Sequence, residues 1–207
     1  IMSIVASIKN FIKDLPDDRI FTTRDLIHLT TSRSSIEVTM HRMVYMKEII
    51  RLARGVFMKN IPAQRMPSVE EVAVVKAKSF GKEIYQHGIN AAAEIGLIER
   101  KYYQRSRYLF YTNGCTSAFN AGQFRVRLKA VSKRKANISQ SEAGKLLKAI
   151  WQLGKEKAGK MRNKTMKLAK SLNKLERLDF RKEIKIMPGW MVQIFYPKII
   201  AKKSAVP

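Results

Sequence analysis

The side chains best suited to chemistry in this chain are hydroxyls and guanidiniums rather than paired acids and bases. Ser32-Arg33-Ser34-Ser35 surrounds one cation with small hydroxyl groups, and Thr39 and Arg42 follow one and two turns in from Ser35. A helix opening at such a run offers backbone N–H groups to phosphate, and small side chains allow close approach. Arg33 carries a fork that matches the two major-groove acceptors of guanine. Arg51 and Arg54 lie on either side of Leu52-Ala53, where a hairpin tip would bring them to backbone phosphate or a minor groove. Ser32, Arg33, Ser34, Ser35, Thr39, Arg42, Arg51 and Arg54 are therefore the candidate DNA contacts. Glu37 counts against the set, because a carboxylate repels phosphate unless it accepts from cytosine.

A second group is purely electrostatic. Lys157, Lys160, Lys164, Lys167, Lys170 and Lys174 surround an apolar stripe of Met161, Thr165, Leu168, Leu172 and Leu175. Three uses compete for these lysines: a solvated face, a second arm on DNA whose affinity falls steeply with salt, or a surface for an acidic partner. The stripe itself suits packing within the chain, and its spacing also fits a seam with a second copy.

Enzymatic constellations are not expected. His28, His41 and His87 lie in different segments with no acid or cysteine at ligand spacing, and the 16 acidic residues are dispersed. A metal-dependent nuclease needs two or three clustered carboxylates. Glu70-Glu71 is explained as a helix start, and Cys115 reads as a packed strand residue beside a turn. Walker-type and dinucleotide-type glycine loops are lacking in the sequence. The expectation is a protein with no catalytic residue, no metal and no cofactor.

The contact residues require elements to hold them. Ile4, Val5, Ile8, Phe11, Ile12 and Leu15 have helical spacing, which Pro16-Asp17-Asp18 ends. Thr22 three residues before Asp25 is a capping-box-like start for a short helix through Leu29. Thr30–Ser35 is a tight polar connection, and Ile36, Met40, Met43 and Val44, with Met46 at its end, mark a third helix. Its Glu37, Thr39, His41 and Arg42 are expected to face outward. The period then becomes extended: Ile49–Leu52 and Val56–Met58 flank Ala53-Arg54-Gly55, a hairpin pattern. Three helices and a hairpin in this order predict a winged helix-turn-helix over 1–60.

A proline-marked linker over 61–67 leads to a second capping box, Ser68 with Glu71, and a helix to about Phe80. A short strand at Ile84-Tyr85, an Ala-rich helix over Gly88–Ile95 and three β-like segments (Arg107–Thr112, Thr116–Asn120, Gln123–Val131) follow, turning at Asn113-Gly114 and Ala121-Gly122. Two helices, Ser139–Leu153 and Glu156–Leu178, separate near Gly154, and Pro188-Gly189-Trp190 opens a short last one. The expected fold class is α+β, in three parts: the winged helix-turn-helix over 1–60, a mixed α/β domain over 61–135 and a basic helical region over 136–207.

Charge gives each part a task. The 207 residues carry 41 Lys and Arg against 16 Asp and Glu, a net charge of +25. Residues 1–60 hold +4, residues 61–130 hold +6 and residues 131–207 hold +15. Such an excess repels itself in a compact chain and calls for an anionic partner. A single cysteine rules out an internal disulfide and suits a reducing compartment. Ile1–Ile8 has no basic leader and no apolar run approaches the ~20 residues of a membrane span, so a cytoplasmic location without a membrane partner is expected.

Residues 3–60 resemble the N-terminal winged helix of the AbiE-type (type IV toxin–antitoxin) antitoxin and regulator families. The resemblance rests on Phe21-Thr22-Thr23-Arg24-Asp25-Leu26, on Met43–Arg51 and above all on the wing Leu52-Ala53-Arg54-Gly55-Val56-Phe57. A second similar stretch joins Met66–Ala73, His87–Ala92, Ile95-Gly96-Leu97 and Leu109–Gly114, so that the likeness covers about 3–135. It implies a promoter-binding repressor, in some relatives also the antitoxin to a nucleotidyltransferase-like toxin, and DNA contact at Ser32–Arg42 and Arg51–Arg54. One such module per chain further suggests a homodimer on an inverted-repeat operator. Two alternatives stand beside this reading: an RNA-binding or ribonucleoprotein component using the lysine-rich helices, and a protein-interaction adaptor without DNA binding.

Overall fold

The computed structural model describes residues 3–195. Residues 196–207, the end of the expected basic helical region, lie outside the described residues. In chain order the elements are α1 (Ile4–Asp14), β1 (Phe21–Thr22), a 3₁₀ helix (Thr23–Leu29), α2 (Arg33–Tyr45), β2 (Ile49–Ala53), β3 (Val56–Lys59), α3 (Val69–Ser79) and β4 (Ile84–Gln86). They continue with α4 (Gly88–Glu94), α5 (Arg100–Ser106), β5 (Leu109–Thr112), β6 (Ser117–Ala121), β7 (Phe124–Ala130), α6 (Lys133–Ala136), α7 (Glu142–Lys160), α8 (Arg162–Ser171), α9 (Lys174–Ile184) and α10 (Gly189–Phe195). The class is α+β, as expected.

Among the described residues two compact units form: residues 3–84 with Thr116–Arg127, and Tyr85–Cys115 with residues 128–195. These cut across the expected boundaries at 60 and 135, because β6 and the first half of β7 return to the first unit.

In the first unit α1 starts at Ser3, whose hydroxyl accepts from the Ala6 N–H at 3.2 Å. It buries Ile8 and Ile12 against Phe21, Leu26, Ile36, Met40, Met43, Ile49 and Phe57. Each fully buried aliphatic or aromatic side chain of this kind stabilises by about 1.5–3 kcal/mol. Asp25 closes the Thr22 start: its carboxylate accepts from the Thr22 N–H at 2.6 Å and from the Thr22 hydroxyl at 2.9 Å. The resulting turn is 3₁₀ rather than α and leaves Ile27 exposed. β2 and β3 pair antiparallel from Ile49 opposite Lys59 to Ala53 opposite Val56, with an irregularity between Arg51 and Ala53. Gly55, at φ +75°, supplies the left-handed residue that so tight a turn needs. β1 pairs with β3, and β2 meets β6 at Ala121, giving the order β1-β3-β2-β6-β7 in this unit. α3 opens with the expected capping box, in which Ser68 and Glu71 satisfy each other's backbone N–H groups.

The second unit is mainly helical. Its core gathers Leu97, Ile138, Leu147, Ile150, Phe180 and Phe195 among others. α4 lies close on α7: a Cβ added at Gly88 would stand 2.5 Å from both the Gln152 Cβ and the Lys148 carbonyl. Gly154, at φ +78° and ψ 169°, breaks the helix inside α7 where the sequence placed a separation. The single helix expected over Glu156–Leu178 is not formed. Leu172 turns extended, and the Asn173 side chain, accepting from the Glu176 N–H at 2.9 Å, starts α9 afresh. Leu175 consequently leaves the apolar stripe and is 72% exposed. Helices α5 and α6 were not expected, since neither short polar stretch has an apolar period.

Candidate nucleic-acid interface

The candidate residues of 1–60 fall on two elements of the first unit. Helix α2 has two distinct sides. Ile36, Thr39, Met40 and Met43 are buried, whereas Arg33, Ser34, Glu37, Val38, His41, Arg42 and Tyr45 are exposed. The inner side is fixed by the core of α1, the 3₁₀ helix and β3. The outer side is therefore a consequence of helical geometry and is held rigidly.

Each expected contact has a definite place. Ser32 is the N-cap: its Oγ accepts from the Ser35 N–H at 3.3 Å and lies 2.8 Å from the Ser35 hydroxyl, which donates to it. Ser32 and Ser35 are half-buried and occupied with each other, so Ser34 is the exposed hydroxyl of the group. Arg33 is fully outward and reaches back to Glu37, Nε to Oε1 at 3.2 Å. An exposed pair of this kind is worth a few tenths of a kcal/mol and yields readily to a better anion. Arg42 is exposed two turns in. Thr39 is a correction: it is only 4% exposed and belongs to the inner side with Met40 and Met43, because its position on the helix turns with Ile36 rather than with Ser35. Met46, expected to help mark the apolar side of this helix, lies one residue beyond its end and is exposed.

Val38, His41 and Tyr45 complete the outer side at three- and four-residue steps from Ser34. Tyr45 is 80% exposed. The candidate set drawn from sequence omitted Val38 and Tyr45, because they look like core residues when read singly, whereas His41 was expected to face outward. Their helical phase, opposite Ile36 and Met40, is the signal that identifies them.

The hairpin carries Arg51 on β2 and Arg54 in the turn, both exposed. Lys76 of α3 donates its Nζ to the Arg54 carbonyl. That ammonium stands 5.9 Å from the Phe80 ring and 5.2 Å from the Phe119 ring, and Arg24 stacks over Phe80 at 4.3 Å. Burial, with Arg54 and Arg51 nearby, pushes the Lys76 ammonium below its ordinary pKa. Among the described residues, Arg24, Arg42, Arg51, Arg54 and Lys76 make no ion pair with a carboxylate. The hairpin turn thus gathers like charges that an anion would relieve. Arg24 and Lys76 were not among the sequence candidates, since only packing brings them near the turn.

The histidines and the cysteine occupy other environments. His28 is exposed with its ring 5.6 Å from Phe11, and His41 is exposed on α2. His87 is the buried N-cap of α4, and its Nδ1 accepts from the Ile89 N–H at 3.2 Å. Cys115 is exposed rather than packed in a strand. Burial, aided by Lys135 and Lys129, pushes His87 down to about 4. Beside it the Tyr111 hydroxyl donates to Gln152 Oε1 at 2.6 Å, and burial raises that phenol to about 12. This cluster holds a neutral histidine and an un-ionised tyrosine, a packing arrangement. Among the described residues no three His, Cys, Asp or Glu side chains gather as metal ligands.

Lys157, Lys160, Lys164, Lys167, Lys170 and Lys174 are all exposed, on the end of α7, on α8 and at the start of α9. No helix of the described residues is long and apolar enough to cross a membrane.

A family model described as a family of unknown function (DUF6088) matches residues 7–179. No curated protein and no solved structure matches the chain.

Proposed function

We propose that this chain, which belongs to the DUF6088 family of unknown function, is a sequence-specific reader of duplex DNA acting as a transcriptional regulator. On this reading α1, the 3₁₀ helix and α2 are the helices of a winged helix-turn-helix, and β2–β3 is its wing. The strand order β1-β3-β2, with β1 inserted between the first two helices, supports that assignment.

The observation that carries the reading is the outer side of α2. It exposes Arg33, Ser34, Val38, His41, Arg42 and Tyr45 while its inner side is locked in the core. A helix held in this way fits the major groove, where base edges distinguish all four pairs. Arg33 and Arg42 supply forks for guanine, Val38 an apolar contact for a thymine methyl, and Ser34 and Tyr45 hydroxyls for phosphate. Arg51 and Arg54, joined by Arg24 and Lys76, supply the sequence-independent attraction. One module per chain suits two copies on an inverted repeat.

The test is enrichment of bound duplexes from a randomised pool, followed by affinity measurements on the winning site. The wild type should enrich a motif with two related half-sites. Arg33→Ala should lose discrimination by about 1–3 kcal/mol, while Arg54→Ala should weaken all duplexes alike. Failure to enrich any motif, or both variants binding it like the wild type, overturns the proposal.

A further inference from the structure

We infer that the lysine face running from the end of α7 along α8 binds the phosphodiester backbone of a nucleic acid without reading its sequence. The inference concerns the second unit and does not rest on the function proposed for the first.

The face is continuous. The Met161 N–H donates to the Lys157 carbonyl at 3.1 Å and the Thr165 N–H to the Met161 carbonyl at 3.0 Å, so i→i−4 bonding spans the joint although Met161 itself, at φ −97° and ψ 13°, leaves helical geometry. Lys157, Lys160, Lys164 and Lys167 then follow at three- and four-residue steps, with Lys170 one step further. Ala158, Thr165, Ala169 and Leu172 are buried on the opposite side. With a rise of ~1.5 Å per residue, a cation recurs roughly every 5 Å along the axis, a density comparable to the phosphates of one strand.

The charge is one-sided. Residues 157–175 contain seven cations and no acid. Like charges at these steps repel along a helix, and a surface built for solubility intersperses both signs. None of the five lysines of this face makes an ion pair among the described residues. A polyanion relieves this repulsion.

The rest of the face selects among polyanions. The exposed residues between the lysines include Gly159, Arg162, Asn163 and Ser171, while Met161 and Leu168 are half-buried. An acidic protein would want apolar anchors at the centre of the patch, and the exposed residues of α8 are all charged or polar. An anionic membrane would want the apolar side of the helix, which is built into the core. A flexible array of cations whose exposed neighbours along α8 are polar or charged suits phosphodiesters.

The experiment uses the full chain and a random-sequence duplex, as DNA and as RNA, titrated from about 50 to about 200 mM salt. It compares the wild type with a Lys164→Gln, Lys167→Gln, Lys170→Gln variant and with an Arg51→Gln, Arg54→Gln variant. All these side chains are exposed, and unchanged melting verifies the fold. The triple variant should lower the slope of log K against log salt by about 2 to 3, near 0.9 per phosphate lost on DNA. A loss on both duplexes assigns the backbone in general, and a loss on one names its source. If only the triple variant lowers the slope, this inference stands and the reading of the first unit fails. If only the arginine variant does, this inference is overturned. A wild type that binds neither duplex, or that binds anionic vesicles instead, overturns it as well.

Discussion

Arg33 and Glu37 face solvent together one turn apart, and their pairing decides how an exposed cation is held. The pair positions the guanidinium, yet its carboxylate would stand near phosphate in a groove. Glu37→Gln should therefore tighten binding to a random duplex several-fold at low salt, less so as salt rises. Fluorescence anisotropy across a salt series reads this, and weaker binding would mean that Glu37 accepts a hydrogen bond from a base. Thr39 makes the converse point. It lies at the spacing of a contact in the sequence, but helical phase turns it inward. Thr39→Ala should leave duplex affinity unchanged and lower the melting temperature by a few degrees, corresponding to about 1 kcal/mol. The hydroxyl and guanidinium residues of the candidate surface were legible in the sequence. Which members of the run face out depended on the side of α2 that the core claims.

Among the elements, the capped ones were legible and the polar ones were not. Ser3, Thr22, Ser32 and Ser68 each begin a helix where the sequence offers a hydroxyl, and the pairs Thr22–Asp25 and Ser68–Glu71 mark two of the starts. Asn173-Lys174-Leu175-Glu176 carries the same kind of signature. Lysines running through it disguise the break and suggest one long helix. α5, Arg100–Ser106, is charged or aromatic at almost every position, so it has no stripe to read. The junction of α4 with α7 is a property of two elements at once. Gly88→Ala forces a Cβ to 2.5 Å from the Lys148 backbone oxygen, which a side-chain rotation cannot relieve. Chemical denaturation should show a loss of about 1–3 kcal/mol. A neutral result would mean that α4 can shift away without cost.

Charge acts on the molecule as a whole. Burial holds His87 neutral, at about 4 against an ordinary value of about 6.5. Protons then bind the unfolded chain more strongly, so stability rises with pH between about 4 and about 6.5 and is lost as pH falls through that window. Lys135 and Lys148, both pushed down to about 8 by burial, extend the trend: stability rises again from about 8 towards 10.5. Melting temperatures measured across pH should show both rises. His87→Asn, which keeps an N-cap acceptor but does not titrate, should flatten the acidic one. An unflattened profile would place the acid sensitivity on other groups.

The sequence by itself determined the α+β class, most helix starts, the hairpin about Gly55, the break at Gly154 and a large cationic surplus. Those properties are local or additive, set by caps, turns, periodicity and charge counts over a few residues at a time. Only the tertiary structure decided that Thr39 is core, that Tyr45 and Val38 are surface, that Lys76 and Arg24 join the hairpin turn, and that β6 returns to the first unit. Each of these depends on which apolar face finds a partner across tens of residues, and no short window of chain contains that partner.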